Sequence, residues 1–241
     1  MASSESQNVK THEDPSTYES QIIEILEEMR SMPYFKNEAA ASGAVHNVAR
    51  HEEALSLVLE RHGFKKGELP QGIKKEVAMK WLLQPELAHS IPVGTFIEQP
   101  FGTHNSPDFI IKVNDKVVLF LEAKSSKDTF PVYNSGGAKK DFIYVFCSEK
   151  TNETTIYKGE SIISLEQQKL IDEHIQNARE QDKVLNDKLK EIDENHRGVK
   201  YYTRPMICQS GGVSYTNYFK HEHRSEAETR VLDWVRYLCN K

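Results

Sequence analysis

Ser106 to Ser126 reads SPDFIIKVNDKVVLFLEAKSS. Two runs rich in β-branched and aromatic residues, Asp108 to Val113 and Val117 to Ala123, flank the polar Asn114-Asp115-Lys116, the pattern of a β-hairpin. Register decides what the hairpin presents. With Asn114-Asp115 alone as the turn, Asp108 lies opposite Leu121, and Asp108 and Glu122 point to opposite faces. With Asn114-Asp115-Lys116 as a three-residue loop, Val113 pairs with Val117 and Asp108 sits directly across from Glu122. Lys124 then follows on the same face, because strand side chains alternate with a period of two. The second register keeps Lys116 in the loop and sends Phe109, Ile111, Val113, Val117, Leu119 and Leu121 together to the other face, so it is the expected one.

Two carboxylates about 5 Å apart across a strand pair repel each other. A cation between them removes the cost, and a hard divalent ion suits the donor set. Magnesium takes one or two carboxylates together with substrate phosphate and water. Lys124 can reach the same phosphate or orient a water. The plainer reading makes Asp108 and Glu122 solvated strand-end charges with Lys124 as counter-ion. Convergence of all three at one end of a very apolar hairpin argues against it, because VVLFL has the composition of a central strand buried on both faces.

Pro107-Asp108, thirteen intervening residues and then Glu122-Ala123-Lys124 resemble the PD-(D/E)XK nuclease motif, and the whole chain resembles a type II restriction endonuclease. The resemblance implies an α/β fold: a mixed central β-sheet flanked by helices, here with a helical C-terminal region. It implies Mg2+ held by Asp108, Glu122 and the Ala123 carbonyl, with Lys124 positioning or deprotonating the attacking water. It further implies sequence-specific hydrolysis of double-stranded DNA to 5'-phosphates, and a homodimer if the target is palindromic. A nuclease of the same fold acting on branched or damaged DNA in repair or recombination would share these residues. A non-catalytic DNA-binding or scaffold protein would carry the motif by accident.

Composition is compatible with this without requiring it. Hydrophobic residues make up 38% and charged residues 28% of the 241 residues, with a net charge of -5. Residues 1 to 60 carry a balance of -7, leaving the remainder at +2. Basic clusters occur at Lys65-Lys66 with Lys74-Lys75, at Lys124, Lys127, Lys139 and Lys140, and at Arg197, Lys200 and Arg204; a cleft lined by them could hold DNA. No apolar run approaches the roughly 18 residues of a membrane span, and the N-terminus lacks the apolar core of a secretory signal. Cys147, Cys208 and Cys239, odd in number and far apart, read as reduced thiols of an intracellular protein.

Taken in order, residues 1 to 15 read as a disordered leader, and 16 to 241 as a single nuclease-like domain. Ser16-x-x-Glu19 is a capping box for a helix carrying Ile22, Ile23, Leu26 and Met29 and ended by Pro33. A second helix, from about Ala44 to His62, places Val45, Val48, Ala49, Leu55 and Leu59 on one side and Glu52 within that stripe. A glutamate there needs a partner. The resemblance offers the metal site, with Glu52 or neighbouring Glu53 as the contributor; pairing with Arg50 or His51 is the alternative. Trp81 reads as core. Thr95 to Gln99 is the expected first strand of the sheet, with Glu98 a second-choice site carboxylate or, more simply, an exposed edge charge.

Beyond the hairpin come the loop Asp128 to Lys140, a strand Phe142 to Cys147 and a further strand Thr154 to Tyr157. In the loop, Asn134, Ser135, Gly136 and Gly137 form a tight turn or a DNA contact with Lys139 and Lys140. Glycine allows close backbone approach and asparagine can bond an adenine edge; the resemblance favours the contact. A long helix or broken pair spans 165 to 196, with a seam of Ile171, Ile175, Ala178, Leu185, Leu189 and Ile192 expected to pack on the core. Arg204, Gln209 and Asn217 are recognition candidates, in a region where aromatics alternate with basic groups. His221 and His223 lack the further ligands of a zinc site. Ser225-x-x-Glu228 is expected to cap a final helix packed through Val231, Leu232, Val235 and Leu238.

Overall fold

A computed structural model describes residues 15–34, 51–103, 105–134, 137–209 and 216–241. The hairpin sits at its centre. Strands β1 (Lys65–Gly67), β2 (Thr95–Glu98), β3 (Phe109–Asn114), β4 (Val117–Ser126), β5 (Ile143–Ser148) and β6 (Glu153–Lys158) form one sheet in sequential order. The β1–β2 and β4–β5 pairs are parallel and the other three antiparallel, so the chain is α/β with a mixed sheet. The edge strand β1 lies in a stretch whose sequence reads as a basic loop, and β2 is therefore the second strand. Three residues of KKG carry no strand pattern, and β1 exists through its pairing with β2.

The expected hairpin register holds, through different turn chemistry. Phe109 pairs with Leu121 and Lys112 with Val118, but Asn114 pairs with Val117. The tip is thus Asp115-Lys116, and a bulge between Lys112 and Asn114 absorbs the extra residue. Asn114 stabilises this tip: its Oδ1 accepts from the Lys116 amide (2.8 Å) and its Nδ2 donates to Glu19 (2.6 Å). Glu19 is thereby engaged with the hairpin, and the side chain of Ser16 lies outside the described residues.

Side-chain alternation divides the sheet into two apolar faces. On one, Phe109, Ile111, Val113, Val117, Leu119 and Leu121 pack against α1 (Pro15–Ser31), α2 (His51–Arg61) and α5 (Arg224–Cys239). Ile22, Ile25, Leu26 and Met29 of α1, Leu55, Val58 and Leu59 of α2, and Val231, Leu232 and Val235 of α5 are buried there. On the other face, Ile110, Val118 and Phe120 meet Trp81 and Ala88, from the two 3-10 turns that follow the short helix α3 (Lys75–Ala78), and Ile91 just beyond them. Tyr133, Phe142, Tyr144, Phe146, Tyr157 and Tyr218 complete that layer. Trp81 is core, as expected. The strand VVLFL is buried on both faces.

The final helix starts without the expected cap. His223 occupies its N-cap and makes no side-chain cap bond, so Ser225 falls inside the helix. Glu228 is buried instead in a polar cluster, accepting from Thr155 Oγ1 (2.7 Å) and Arg224 Nε (3.0 Å).

The largest departure is α4 (Leu165–Glu191), capped by a reciprocal Ser164–Gln167 box. None of its residues is buried. The seam expected to pack on the core instead meets an extended return segment, residues 199–207, and only Ile171, Ile175, Ala178 and Leu189 become half-buried. Leu185 and Ile192 stay exposed. No helix among the described residues is long and apolar enough to cross a membrane, and none of the three cysteines is in a disulfide.

Candidate active site

Asp108 immediately precedes β3, and continuation of the register places it opposite Glu122 of β4. Antiparallel pairing ends at Phe109–Leu121, which leaves the Ala123 amide free to donate to Asp108 Oδ2 at 2.8 Å. Glu122 is buried; its Oε1 accepts from Lys124 Nζ at 2.8 Å. Its Oε2 is buried and has no hydrogen-bond partner. The three motif residues therefore converge, and the sheet delivers a carboxylate oxygen with unused acceptor capacity to that point.

The electrostatics match the geometry. Burial, then the Glu122 charge, push the Asp108 carboxyl up to about 7, with Glu52 adding to the rise and the Ala123 amide and Lys124 opposing it. Two carboxylates placed together with little water hold a proton until a cation replaces it. The orphaned Glu122 oxygen and the proton-retaining Asp108 are the donor set a hard divalent ion would use. Among the described residues no group of three or more His, Cys, Asp or Glu side chains gathers tightly enough to hold an ion unaided. Two carboxylates completed by a carbonyl, waters and a substrate phosphate fit magnesium's habits.

Glu52 stands at the margin. It is half-buried, acts on Asp108 through its charge, and accepts from Gln99 Nε2 at 3.4 Å; Glu53 is exposed. Glu98 is less exposed than expected: it accepts from Ser56 Oγ (3.0 Å) and pairs with Lys66.

Two further residues lie near the site: Tyr144, which its sequence does not mark, and Lys75, marked only as part of a basic cluster. Tyr144 of β5 is the parallel neighbour of Glu122, and its hydroxyl accepts from the Lys139 amide at 2.7 Å. Burial first, with Glu122 and Asp108 contributing, raises the Tyr144 pKa. Lys75 of α3 donates to Asn105 Oδ1 (3.0 Å) and stands over the Phe101 ring at 5.4 Å. Burial lowers its pKa, Glu122 opposes this and Lys139 adds to it. Lys75 thus senses both Glu122 and Lys139, and neither lysine is in an ion pair among the described residues. Only the fold brings these groups together: Lys75 stands in sequence as one member of a basic cluster, and Tyr144 acquires its place from the β4–β5 register.

Lys139 is placed by a close backbone approach. A Cβ on Gly159 would lie 2.0 Å from the Lys139 carbonyl oxygen, and Gly159 N and Glu160 N donate to Phe142 O and Lys140 O. Gly159→Ala should therefore displace the Lys139 segment and cost about 1–3 kcal/mol, read as a fall in the urea midpoint. A midpoint equal to wild type would show that the segment yields freely.

The other recognition candidates disperse. Lys140 and Asn134 are exposed, Gly137 is buried at φ +105°, and Ser135 and Gly136 lie outside the described residues. Asn217 is buried and its Oδ1 accepts from the Phe219 and Lys220 amides, both at 3.1 Å, a turn-forming role. Gln209 is half-buried beside Tyr218, and Arg204 is exposed on the return segment. Comparison with family models, curated proteins and solved structures finds no match to this chain.

Proposed function

We propose that this protein is a magnesium-dependent endonuclease of the type II restriction kind, cutting double-stranded DNA at a short specific sequence and leaving 5'-phosphates. One observation carries the reading: Asp108 and Glu122 face each other at the end of a buried hairpin, with Glu122 Oε2 unpartnered and Lys124 beside it. A binding module gains nothing from this pair, because burying two carboxylates together costs stability.

Magnesium held by Asp108, Glu122 and the Ala123 carbonyl would supply Lewis acidity toward the scissile phosphate and an acidified water. Asp108 must give up its proton before it can serve as a ligand. The Ala123 amide fixes the orientation of its carboxylate. Lys124 is anchored to Glu122 through one donor and keeps two more for a water or a phosphate oxygen. Lys75 and Lys139 supply unpaired positive charge on which flanking phosphates can rest. Action on a palindrome would make the working form a homodimer, with each copy cutting one strand.

The test is digestion of unmethylated plasmid or phage DNA with magnesium, beside an EDTA control. Discrete fragments bearing 5'-phosphate ends are expected. Intact DNA under every divalent metal tried would overturn the reading.

A further inference from the structure

We propose that the return segment of the α4 arm is a contact for an unpaired nucleic-acid strand, with a base stacked on Tyr202 and phosphates on Lys200 and Arg204. The proposal rests on the DNA-acting reading and adds to it a contact for a strand with at least one base out of the stack; it does not require catalysis.

The segment is built to be rigid. Gly198 turns the chain at φ +64°, a conformation L side chains rarely adopt, and its amide donates to Asp193 Oδ2 at 2.8 Å. The segment then runs antiparallel along α4. Asn186 bonds Tyr201 twice, accepting from its amide (2.7 Å) and donating to its carbonyl (2.8 Å). One helical turn earlier, Asp182 accepts from both the amide (2.6 Å) and the hydroxyl (2.9 Å) of Thr203. The helix side chains thus act as a partner strand. The far end is paired with the sheet layer that carries the candidate site: Ile207 and Tyr133 exchange two backbone hydrogen bonds, of 3.0 and 2.9 Å.

What this scaffold displays is unusual for a solvent surface. Tyr202 is 76% exposed, a large ring fixed in the open by bonded neighbours on either side. Lys200 and Arg204 flank it at two-residue spacing, about 7 Å to each side along an extended chain, and both are exposed. No carboxylate occurs from Asn195 to Gln209, and neither cation is in an ion pair among the described residues. An exposed ring between cations on an extended, pre-ordered backbone is the pattern that holds single strands, through base stacking and phosphate contact. A second copy of the chain is disfavoured as occupant, because like charges would face each other across the paired segments.

The test uses the full chain in EDTA, with a labelled single-stranded oligonucleotide and its duplex followed by fluorescence anisotropy. Tyr202→Ala should weaken single-strand binding about 5-fold or more, since stacking contributes about 1–3 kcal/mol per base, and should leave duplex binding nearly unchanged. Lys200→Gln with Arg204→Gln should lower the salt slope for single strands by about 1.4. All three side chains are exposed, so an unchanged melting temperature serves as the folding control. Equal single-strand affinity in the variants, or an equal loss on duplex, overturns the proposal. If wild-type protein still cuts duplex DNA in either case, the return-segment assignment alone falls. If wild type binds no single strand in EDTA, that assignment also falls, while cleavage with magnesium decides the endonuclease reading separately.

Discussion

Asp108→Asn is expected to make the metal-free protein more stable above neutral pH and to slow DNA cleavage steeply. The wild-type carboxyl, with its pKa pushed up to about 7 from 3.8 by burial and Glu122, holds its proton more tightly in the folded chain than in the unfolded one. Its stabilising contribution is fully present below the unfolded value near 3.8. It is lost as pH rises through about 7, where the folded state must carry two facing carboxylates. The span corresponds to on the order of a few kcal/mol. Asparagine can still accept from the Ala123 amide but carries no charge, so its stability should be nearly flat over that window. Urea midpoints at pH 5 and pH 8 in EDTA read the effect: close together for the variant, lower at pH 8 for wild type. Cleavage should fall roughly 100- to 1000-fold, the scale of losing several kcal/mol of Lewis-acid assistance. A variant no more stable than wild type at pH 8 would show that the pair carries no electrostatic cost, removing the reason to invoke a cation.

Glu228→Ala should produce the largest loss of stability from one surface-distant polar group. Glu228 accepts from Thr155 and Arg224 and lies 3.6 Å from Arg30, joining α1, β6 and α5. Truncation leaves Arg224 partly buried with only Glu153 and the Thr154 and Phe219 carbonyls. Removing one partner of a buried pair costs about 3–5 kcal/mol; the retained Glu153 bond places this case near 3. Thermal denaturation should show a fall of roughly 10 °C, and Glu228→Gln should recover much of it by restoring the acceptor. An alanine variant melting within a degree of wild type would show that the cluster is held by the surrounding apolar packing alone.

The hairpin was the most legible part of the chain because two independent constraints, apolar alternation and the placement of charge, agree on one register. The turn chemistry was not legible in the same way. A three-residue loop and a two-residue tip with a bulge give identical pairing at Asp108 and differ only at the tip, where Asn114 pairs with Val117 and bonds the Lys116 amide and Glu19. α4 misled for a physical reason: a seam at spacings of three and four says that a helix has an apolar side, not what covers it. Here the cover is the chain's own return segment. Ser225-x-x-Glu228 failed as a capping box because burial gave Glu228 stronger partners than a helix terminus offers. β1 and Tyr144 acquire their places from neighbours distant in sequence, so no local pattern announces them, and Lys75 shows in sequence only as part of a basic cluster.

The decisive measurement is single-turnover cleavage of a duplex containing the recognition sequence, comparing wild type with Glu122→Gln at matched DNA occupancy. Glutamine, which keeps the shape of the side chain but not its charge, is expected to bind the duplex and cut it at least about 100-fold more slowly. Cleavage by the variant at the wild-type rate would place the chemistry elsewhere and contradict the assignment of the Asp108–Glu122 pair.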